Sequence, residues 1–412
     1  MKVVHINTTD KNGGAAIAAC RLHNAMLEDG IDSNYLVLNR TINNRKDILT
    51  VSSVDKYIRH PVNALFEKFA VSSMRNAEFS FSVFDYGMDI SKYDAVKNAD
   101  IIYIHWINTS FISRRALKRL LHSGRPVFWF MHDMFPITGG CHHSLHCQEY
   151  RRKCENCFYY GGKYGAFSKS KKQLKLKEKL YKKYGNLSFI APSLWLFECA
   201  KKGSAARHNT IYHIPNMIDP FLYRPVNKRF AKEVFGIDRG KKIIGIGALN
   251  LLSNPYKGWA FFCEALDILA DKNGKLAEEI QLLVFGSFYE EKIAAALPFK
   301  TYFPGSLQDD YSLVLMYNCL DVFVIPSLAE NFPQTVLESI SSGVPVVGFD
   351  VGGISDLVNG DTGCLAEYKN SKDLACGIEF LLNNRKLNVQ NFIEPFSKKQ
   401  ILKRHKELWS GL

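Results

Sequence analysis

The segment 321–349 constrains the fold of this 412-residue chain more than any other part of it. It opens with the apolar run Asp321-Val-Phe-Val-Ile325, which is short and typical of a strand buried on both faces. A helical pattern follows, in which Pro333 suits the first position because that position needs no backbone N–H donor. Gly343 ends the helix before a second buried run, Val344 to Phe349. The pattern predicts a strand–loop–helix–strand unit of a parallel α/β sheet.

Two carboxylates flank the start of this predicted helix, since Glu330 lies in the loop and Glu338 in the second helical turn. The N-terminus of a helix offers N–H groups and the positive end of its dipole to an anion. Carboxylate oxygens accept hydrogen bonds, so they suit the hydroxyls of a sugar. An anion and a sugar together describe a nucleotide-sugar. The alternative is an ordinary α/β helix in which one glutamate faces solvent and the other caps the helix.

The sequence Glu330-x7-Glu338, followed by Gly343-Val-Pro-Val-Val347 and Gly352-Gly353, resembles the donor-site signature of glycosyltransferase family 4. The resemblance covers nearly the whole chain and is strongest over residues 240–360. It implies an α/β fold of the GT-B type, in which two Rossmann-like doubly wound domains face a central cleft. It also implies that Glu330 holds the transferred sugar and that Glu338 holds the ribose of the nucleotide.

The loop between the two glutamates departs from the family pattern at Pro333. The family usually has small residues or glycine at the positions of Asn331 and Pro333, and proline lacks the N–H group that could meet a phosphate. We therefore expect the phosphate contact to shift to Gln334 and Thr335. The donor-binding residues expected in this segment are Glu330, Asn331, Phe332, Gln334, Thr335 and Glu338.

Short apolar runs alternate with helical patterns along both halves of the chain, which predicts doubly wound parallel sheets. The segment from Pro215 to Asn227 contains two further prolines and predicts a linker. We expect an acceptor-binding domain at 1–220 and a nucleotide-sugar-binding domain at 221–392, and the resemblance implies that a C-terminal helix within 393–412 packs back on the first domain. The predicted strands are Lys2–Ile6, Asn34–Leu38, Ile101–His105, Val127–Met131, Ser188–Ala191, Lys242–Gly247, Gln281–Phe285, Asp321–Ile325 and Val344–Phe349. The other predicted helices are Ala15–Glu28, Arg114–His122, Leu174–Lys183, Gly258–Asp271 and Ser397–Trp409.

Two glycine-containing turns add candidate donor contacts. Lys257-Gly258 opens a predicted helix, where a lysine can meet a diphosphate through its charge and the neighbouring N–H groups. The family usually has a second cation a few residues upstream, but residues 250–256 contain none. Gly13-Gly14 follows the first strand, and the resemblance places such glycines near the transferred sugar and its phosphate. A plain tight turn is the alternative for this pair.

Histidines follow two predicted strands of the N-terminal half. His132 lies at the end of one strand, and open α/β sheets bind ligands at that edge. By the resemblance, His132 hydrogen-bonds the sugar at the reaction centre, and with Glu330 and Lys257 it completes the expected catalytic residues. A lone histidine at a strand end is more often structural, which is the alternative for His105. The expected acceptor-binding residues are His105, Trp106, Asn108 and Asp133.

Four cysteines fall within 17 residues, far denser than in the rest of the chain. A Cys-x2-Cys end with two upstream cysteines can close a tetrahedral thiolate site for zinc. A similar Thr-Gly-Gly-Cys-His segment occurs in a subset of family 4 enzymes related to colanic acid and capsule synthesis. The prediction is a structural zinc ion, and reduced thiols that pack a loop are the competing interpretation. The expected ligands are Cys141, Cys147, Cys154 and Cys157.

No Asp-x-Asp triplet occurs in the sequence. Glycosyltransferases of the other major fold use that triplet to hold a metal on the donor diphosphate. We therefore expect catalysis that requires no cofactor, with Lys257 and helix N-termini in place of a donor metal.

The net charge of +13 is concentrated in the first half, because residues 1–200 hold 29 Lys and Arg against 17 Asp and Glu. The stretch Lys163–Lys183 has nine lysines and one acid, interleaved with apolar residues such as Phe167, Leu174 and Leu180. A basic amphipathic helix of this kind can lie on an anionic membrane surface, and a solvated lysine-rich face is the alternative. No nucleic-acid-binding module accompanies the charge, so we expect no nucleic acid partner.

The first residues predict a strand and lack the apolar core of a signal peptide. No apolar run approaches the ~18 residues that a membrane span needs. The remaining cysteines are scattered, as in a reducing cytosol. These features predict a cytoplasmic protein, peripheral on the inner face of the plasma membrane.

Together the observations predict a retaining glycosyltransferase that moves a sugar from a UDP- or GDP-sugar to a lipid-linked glycan acceptor in cell-surface polysaccharide synthesis. Retention of the anomeric configuration follows from the resemblance alone. Two alternatives stay open: a nucleotide-sugar epimerase or hydrolase on the same fold, and a non-catalytic, zinc-stapled basic binding module.

Overall fold

The structure, a computed structural model, describes residues 1–74, 80–160, 169–247, 251, 254–272, 278–286, 291–307, 309–384 and 389–411. The chain divides into two compact units. The first unit is Met1–Met217 with Ile401–Leu412, and the second unit is Ile218–Gln400. Each unit contains one sheet.

The sheet of the first unit has seven strands in the order β3-β2-β1-β4-β5-β6-β7. All of its pairings are parallel. The strands are β1 (Lys2–Thr9), β2 (Asp32–Asn39), β3 (Ile48–Thr50), β4 (Ile101–Ile104), β5 (Val127–Phe130), β6 (Leu187–Ala191) and β7 (Ile211–His213). The α-helices that accompany it are Gly14–Glu28, His60–Val71, Asp94–Lys97, Arg114–His122, Lys169–Lys183, Leu194–Lys202 and Lys398–Trp409.

The sheet of the second unit has six strands in the order β10-β9-β8-β11-β12-β13, again all parallel. The strands are β8 (Lys242–Gly247), β9 (Ile280–Phe285), β10 (Thr301–Gly305), β11 (Val322–Ile325), β12 (Val346–Phe349) and β13 (Gly363–Ala366). The α-helices of this unit are Lys228–Val234, Trp259–Lys272, Glu291–Ala296, Asp310–Cys319, Gln334–Ser341 and Ser371–Asn383.

The central strands are buried on both faces, as their continuous apolar runs predict. Every residue of β4, β5, β11 and β12 is buried. In the first unit Trp129 packs in one core cluster and the neighbouring Phe128 in another, because successive side chains of a strand point to opposite faces. Both sheets are therefore covered by helices on both faces, and the predicted doubly wound α/β fold is confirmed.

Both sheets have a point where the strand order changes direction. β1 pairs with β2 on one side and β4 on the other, and β8 pairs in the same way with β9 and β11. Open α/β sheets bind ligands beyond the carboxyl ends of the strands at such points. The loops after β1, β4, β8 and β11 are therefore where each unit can carry a site.

The C-terminal helix Lys398–Trp409 contributes to the core of the first unit from Ile401 onward. Ile401 and Leu402 are buried in the cluster that contains Phe128. The hydroxyl oxygen of Tyr103 lies 3.1 Å from Nδ1 of His405 and accepts a hydrogen bond of 3.0 Å from Nε1 of Trp409.

The four strands that the sequence did not predict are the edge strands of the two sheets. They are short, and two of them are only half-buried along their whole length. A half-buried edge strand lacks the continuous apolar run of a central strand, so its sequence resembles that of a loop. The unpredicted strands are Ile48–Thr50, Ile211–His213, Thr301–Gly305 and Gly363–Ala366.

The lysine-rich stretch forms the helix Lys169–Lys183, and its residues 163–168 lie outside the described part of the chain. Leu174 and Leu180 are buried in the core, so the apolar stripe of this helix packs on the protein and only its lysines remain for an anionic surface. Within the described ranges, no helix is long and apolar enough to span a membrane.

Candidate functional site

In the second unit the loops after β8 and β11 bring Lys257 and Glu330 together. Nζ of Lys257 donates a 2.6 Å hydrogen bond to Oε1 of Glu330, and Oγ of Ser327 donates to the same oxygen at 3.0 Å. Both charged side chains are partly exposed, with 25% of Lys257 and 14% of Glu330 open to solvent. A cation and a carboxylate thus meet at the switch point of this sheet, accessible from outside.

Two glycines allow the loops to approach this closely. A Cβ atom on Gly258 would lie 1.8 Å from the carbonyl oxygen of Pro326, and one on Gly352 would lie 1.9 Å from the carbonyl oxygen of Glu330. Both glycines also have positive φ, at +65° and +61°. The N–H of Gly353 donates to the Glu330 carbonyl at 3.2 Å. The glycines of the motif therefore position the backbone of Glu330.

The helix after this loop begins at Gln334, one residue later than predicted, and Pro333 is its N-cap residue. No side chain caps this N-terminus among the residues described. Because the first N–H groups of a helix have no partner within the helix, they can bind an anion. Deeper in the helix, buried Glu338 accepts a 3.0 Å hydrogen bond from the hydroxyl of Tyr317.

The remaining predicted donor residues differ in exposure. Asn331 and Gln334 are buried, whereas Thr335 is partly exposed. Phe332 belongs to the hydrophobic core of the second unit, and its ring centroid lies 5.9 Å from that of Phe396. Its ring therefore anchors the loop.

In the first unit, one cavity gathers the predicted acceptor residues and His132. The carboxyl ends of β4 and β5 supply its polar side chains. Oδ1 of Asn108 is buried and has no hydrogen-bond partner among the described residues. A buried carbonyl oxygen without a partner is a ready acceptor for a ligand hydroxyl. The residues that line the cavity are His105, Trp106, Ile107, Asn108, Trp129, His132, Asp133, Phe135 and Pro136.

Asp133 is held by several donors at the edge of this cavity. Its Oδ2 accepts from Nε1 of Trp106 at 2.9 Å and lies 2.6 Å from Nδ1 of His142, while its Oδ1 accepts from the N–H of Phe135 at 2.8 Å. Burial acts to raise its pKa, but the interactions with His142 outweigh it and hold the pKa of Asp133 below the usual value. These contacts make Asp133 a residue that orients the Trp106 ring.

Three histidines on neighbouring strands form a hydrogen-bonded row that ends at His132. Nδ1 of His5 lies 3.0 Å from Nε2 of His105, and Nδ1 of His105 lies 3.0 Å from Nε2 of His132. At the buried end, Nε2 of His5 lies 3.2 Å from the sulfur of Met26. Burial lowers the pKa of all three histidines, that of His132 to about 4, so the row is neutral at pH 7.

Gly13 is the N-cap residue of the first helix, Gly14–Glu28, which follows β1 in the same unit. Gly13 has a φ of +89°, and a Cβ atom on either glycine would meet nothing within 4 Å. Gly13 therefore supplies a conformation that other residues rarely adopt. That Gly13 and Gly14 meet the donor stays a prediction.

The four clustered cysteines line a single cavity in the first unit. All are free thiols, and burial raises the pKa of Cys154 to about 12 and also raises that of Cys141. Among the described residues, no group of three or more His, Cys, Asp or Glu side chains is arranged to hold a metal ion. The segment also carries His142, which contacts Asp133, so it braces the cavity beside His132.

Sequence reasoning missed the residues that position the others. Ser327, Tyr317 and His5 contact predicted site residues, and Met26 contacts His5. Each comes from a part of the chain where a core or loop residue is the ordinary interpretation. Two positioning residues, Gly258 and Gly352, did carry a sequence signal, because the first follows Lys257 at a predicted helix start and the second belongs to the family motif.

Residues 240–384 match the protein family described as group 1 glycosyl transferases. The sulfoquinovosyl transferase SQD2 of Arabidopsis thaliana is 36% identical over 129 residues, which is 30% of this chain and 25% of that protein. A GDP-mannose-dependent alpha-mannosyltransferase of Corynebacterium glutamicum is 30% identical over 180 residues, 43% of this chain and 40% of that protein. The matches thus span less than half the length of these curated relatives.

Solved structures are similar over the full length of the chain. Sucrose-phosphate synthase from Thermosynechococcus elongatus has a TM-score of 0.69 at 15% identity, covering 100% of this chain and 98% of that chain. HepE from Anabaena, in complex with UDP-glucose, has a TM-score of 0.60 at 17% identity and full coverage of both chains. These similarities define the GT-B fold.

The matched family region contains the Lys257–Glu330 pair and Glu338. Residues 240–384 are thus similar to the group 1 glycosyltransferases, in agreement with the resemblance noted in the sequence.

Proposed function

We propose that the protein transfers a sugar from a nucleoside-diphosphate sugar to a hydroxyl group of a glycan acceptor, with retention of configuration. The observation that carries the proposal is the exposed Lys257–Glu330 pair at the switch point of the second unit, beside the start of the helix Gln334–Ser341. This pair lies in the region that matches the family. It offers a cation for a diphosphate and a carboxylate for sugar hydroxyls.

Binding of the donor would exchange the partners of Lys257 and Glu330. The diphosphate would accept from Lys257 and from N–H groups near Gln334 and Thr335, which leaves the Glu330 carboxylate to accept from sugar hydroxyls. Glu338, fixed by Tyr317, would hold the ribose. As the bond from the anomeric carbon to the diphosphate breaks, Lys257 would stabilise the leaving charge. The acceptor oxygen enters from the same face, and its proton passes to the diphosphate.

The cavity of the first unit would bind hydroxyls through Asn108 and His132. A thioether sulfur can only accept, so the proton of His5 belongs on Nε2, facing Met26. Neutral imidazoles have one donor and one acceptor nitrogen, and so His105 donates to His5 and His132 donates to His105. This order leaves Nδ1 of His132 as an acceptor for a sugar hydroxyl.

The identities of the donor and the acceptor are proposed from the similar proteins and from the chemistry of the site. A GDP-mannose-dependent relative and a UDP-glucose complex support a UDP- or GDP-sugar as donor. We propose a lipid-linked glycan as acceptor, in cell-surface polysaccharide synthesis on the cytoplasmic side of a membrane. No cofactor is needed for the steps above.

A thermal-shift screen with UDP, GDP and their sugars tests the donor assignment. The melting temperature of the wild type should rise with one of the two nucleotides, because a ligand that binds only the folded state stabilises it. Lys257→Ala should lose most of that gain. Lys272→Ala is the matched control, since Lys272 also pairs with a glutamate, at 2.5 Å on the surface, and it should keep the gain. No stabilisation of the wild type by either nucleotide would exclude the proposal.

Product analysis separates transfer from the two alternatives. A hydrolase or epimerase would convert the donor without any acceptor, whereas a transferase should consume it at least about tenfold faster with acceptor present. A non-catalytic module would leave the donor unchanged under both conditions.

A further inference from the structure

A helical stretch in the first unit exposes a continuous set of large apolar side chains. It begins as a π-helix at Asp55–Arg59 and continues as the α-helix His60–Val71. Its apolar side chains follow one another at intervals of one, three or four residues, which places them on one face of a helix. Each has about half or more of its surface exposed, from 49% for Val62 to 70% for Tyr57. We call this set the apolar face: Val54, Tyr57, Ile58, Val62, Leu65, Phe66 and Phe69.

The helical stretch inverts the arrangement of an ordinary surface helix, which buries its apolar side and exposes its charges. Asp55 and Glu67 are buried here. The carboxylate of Asp55 pairs with Arg59 at 2.7 Å and with Lys92 at 2.6 Å. That of Glu67 accepts from the N–H of Val83 at 3.0 Å and from the hydroxyl of Ser110 at 2.5 Å. The acids therefore anchor the stretch and leave its apolar side outward.

The charges that remain at the surface of this stretch are positive. Lys56 is partly exposed, and Arg59 and Lys68 are exposed, whereas both acids between residues 54 and 74 are buried. At the C-terminal end, Nζ of Lys169 donates to the carbonyl oxygen of Ala70 at 2.5 Å. This contact joins the stretch to the helix Lys169–Lys183, on which seven lysines are exposed. The basic helix thus contacts the C-terminal end of the stretch that carries the apolar face.

We propose that the apolar face and the lysines beside it dock the protein on a bilayer that contains anionic lipid. Aromatic and aliphatic side chains bury in the boundary between headgroups and acyl chains, and cations at their border contact the lipid phosphates. A second copy of the chain fits less well, because it would bring another surface of positive charge against the first. The surface needs neither nucleotide-sugar nor acceptor, so this docking is independent of the proposed transfer activity.

Vesicle co-sedimentation of the full chain tests the proposal with two variants. The wild type should bind vesicles of phosphatidylcholine and phosphatidylglycerol and should bind pure phosphatidylcholine more weakly. Leu65→Ser with Phe69→Ser should weaken binding about tenfold or more, since each side chain loses its burial in lipid. Phe230→Ser with Phe380→Ser is the matched control, because these rings are 55% and 53% exposed on the second unit. The control should bind like the wild type.

Neutralising Lys169, Lys171, Lys172 and Lys175 to glutamine should reduce binding to anionic vesicles and leave the residual binding to neutral vesicles unchanged. Equal binding by the wild type and the Leu65/Phe69 variant would overturn the proposal. The proposal would also be overturned if neither protein bound vesicles and the wild type sedimented as a dimer that the Leu65/Phe69 variant converted to a monomer. Circular dichroism and the nucleotide-induced thermal shift should be unchanged in all variants, which separates loss of docking from loss of folding or donor binding.

Discussion

At the scale of single residues, the position of Glu330 depends on neighbouring glycines as well as on the contacts of its own side chain. Gly352 holds a φ of +61° directly against the carbonyl oxygen of Glu330. Gly258 makes an equally close contact with Pro326. A side chain at either position would separate the loops that carry Lys257 and Glu330.

Gly352→Ala should destabilise the second unit by about 2 kcal/mol or more, because it adds both the strain of a positive φ and a contact with backbone that cannot move aside. The variant should also lose nucleotide-induced stabilisation. Gly360→Ala is the control, since a Cβ atom there meets nothing within 4 Å. It should change the free energy of unfolding by less than about 0.5 kcal/mol. Urea unfolding measures both, and similar effects of the two substitutions would contradict this role of Gly352.

The sequence predicted most of the site residues but few of their contacts. A histidine at a strand end is visible in a pattern, and His132 and His105 were predicted in that way. That their rings touch each other and His5 depends on β1, β4 and β5 being adjacent in the sheet. Strand order follows from long-range packing, which a local pattern does not contain. The row that ends on Met26 was therefore beyond prediction.

At the scale of elements, the cysteine segment 141–157 lies near a buried lysine of the helix Lys169–Lys183. Lys177 is fully buried and donates to the carbonyl oxygens of Phe135 and Thr138. No carboxylate among the described residues forms an ion pair with it. Burial lowers the pKa of Lys177 to about 7, and a zinc ion bound by four thiolates is a dianion that would favour its charged form. A zinc ion held by the four cysteines of this segment remains our prediction.

Metal analysis of protein purified without chelators tests this prediction. One zinc ion per chain is expected, and the Cys154→Ser with Cys157→Ser variant should lose it. Removal of zinc should destabilise the first unit, because a structural metal contributes its binding energy to folding. Cys263→Ser with Cys376→Ser, outside the segment, should keep full occupancy. A wild-type protein without stoichiometric metal would leave the thiols as packing residues of the loop.

The exposure of the apolar face on the helical stretch 55–71 could not be predicted from the sequence. Apolar residues at helical spacing ordinarily indicate a face that packs on the core. Here the core side is formed by Ala70 and by the paired carboxylates of Asp55 and Glu67. Which side of a helix is buried depends on partners such as Lys92 and Ser110, which lie elsewhere in the sequence.

At the scale of the whole molecule, all twelve histidines belong to the first unit, and the second unit has none. Burial lowers the pKa of His23 to about 4 and that of His405 to about 3. An unfolded histidine has a pKa near 6.5, so the unfolded chain binds protons first as the pH falls. Each such histidine should therefore remove about 1.4 kcal/mol of stability per pH unit below about 6.5, until its folded pKa is reached. Above about 6.5 this stabilisation is complete.

Urea unfolding at pH 7 and pH 5 should thus show a loss of at least about 2 kcal/mol in the first unit. The Trp259→Phe variant reports this unit, because its four remaining tryptophans all lie there. The second unit is followed through the difference between the wild-type signal and that of the Trp259→Phe variant, and it should change little over the same range. Equal losses in both units would contradict the assignment of acid sensitivity to buried neutral histidines.

The central claim is sugar transfer that depends on Glu330, and one measurement tests it most directly. Transfer of a radiolabelled sugar from UDP- and GDP-sugars into a lipid-linked glycan fraction is compared for the wild type and Glu330→Ala. We predict that the wild type labels the fraction with one class of donor, and that Glu330→Ala, folded by circular dichroism, loses at least about a hundredfold in rate. Full transfer by Glu330→Ala, or no transfer by the wild type from any UDP- or GDP-sugar, would contradict the account.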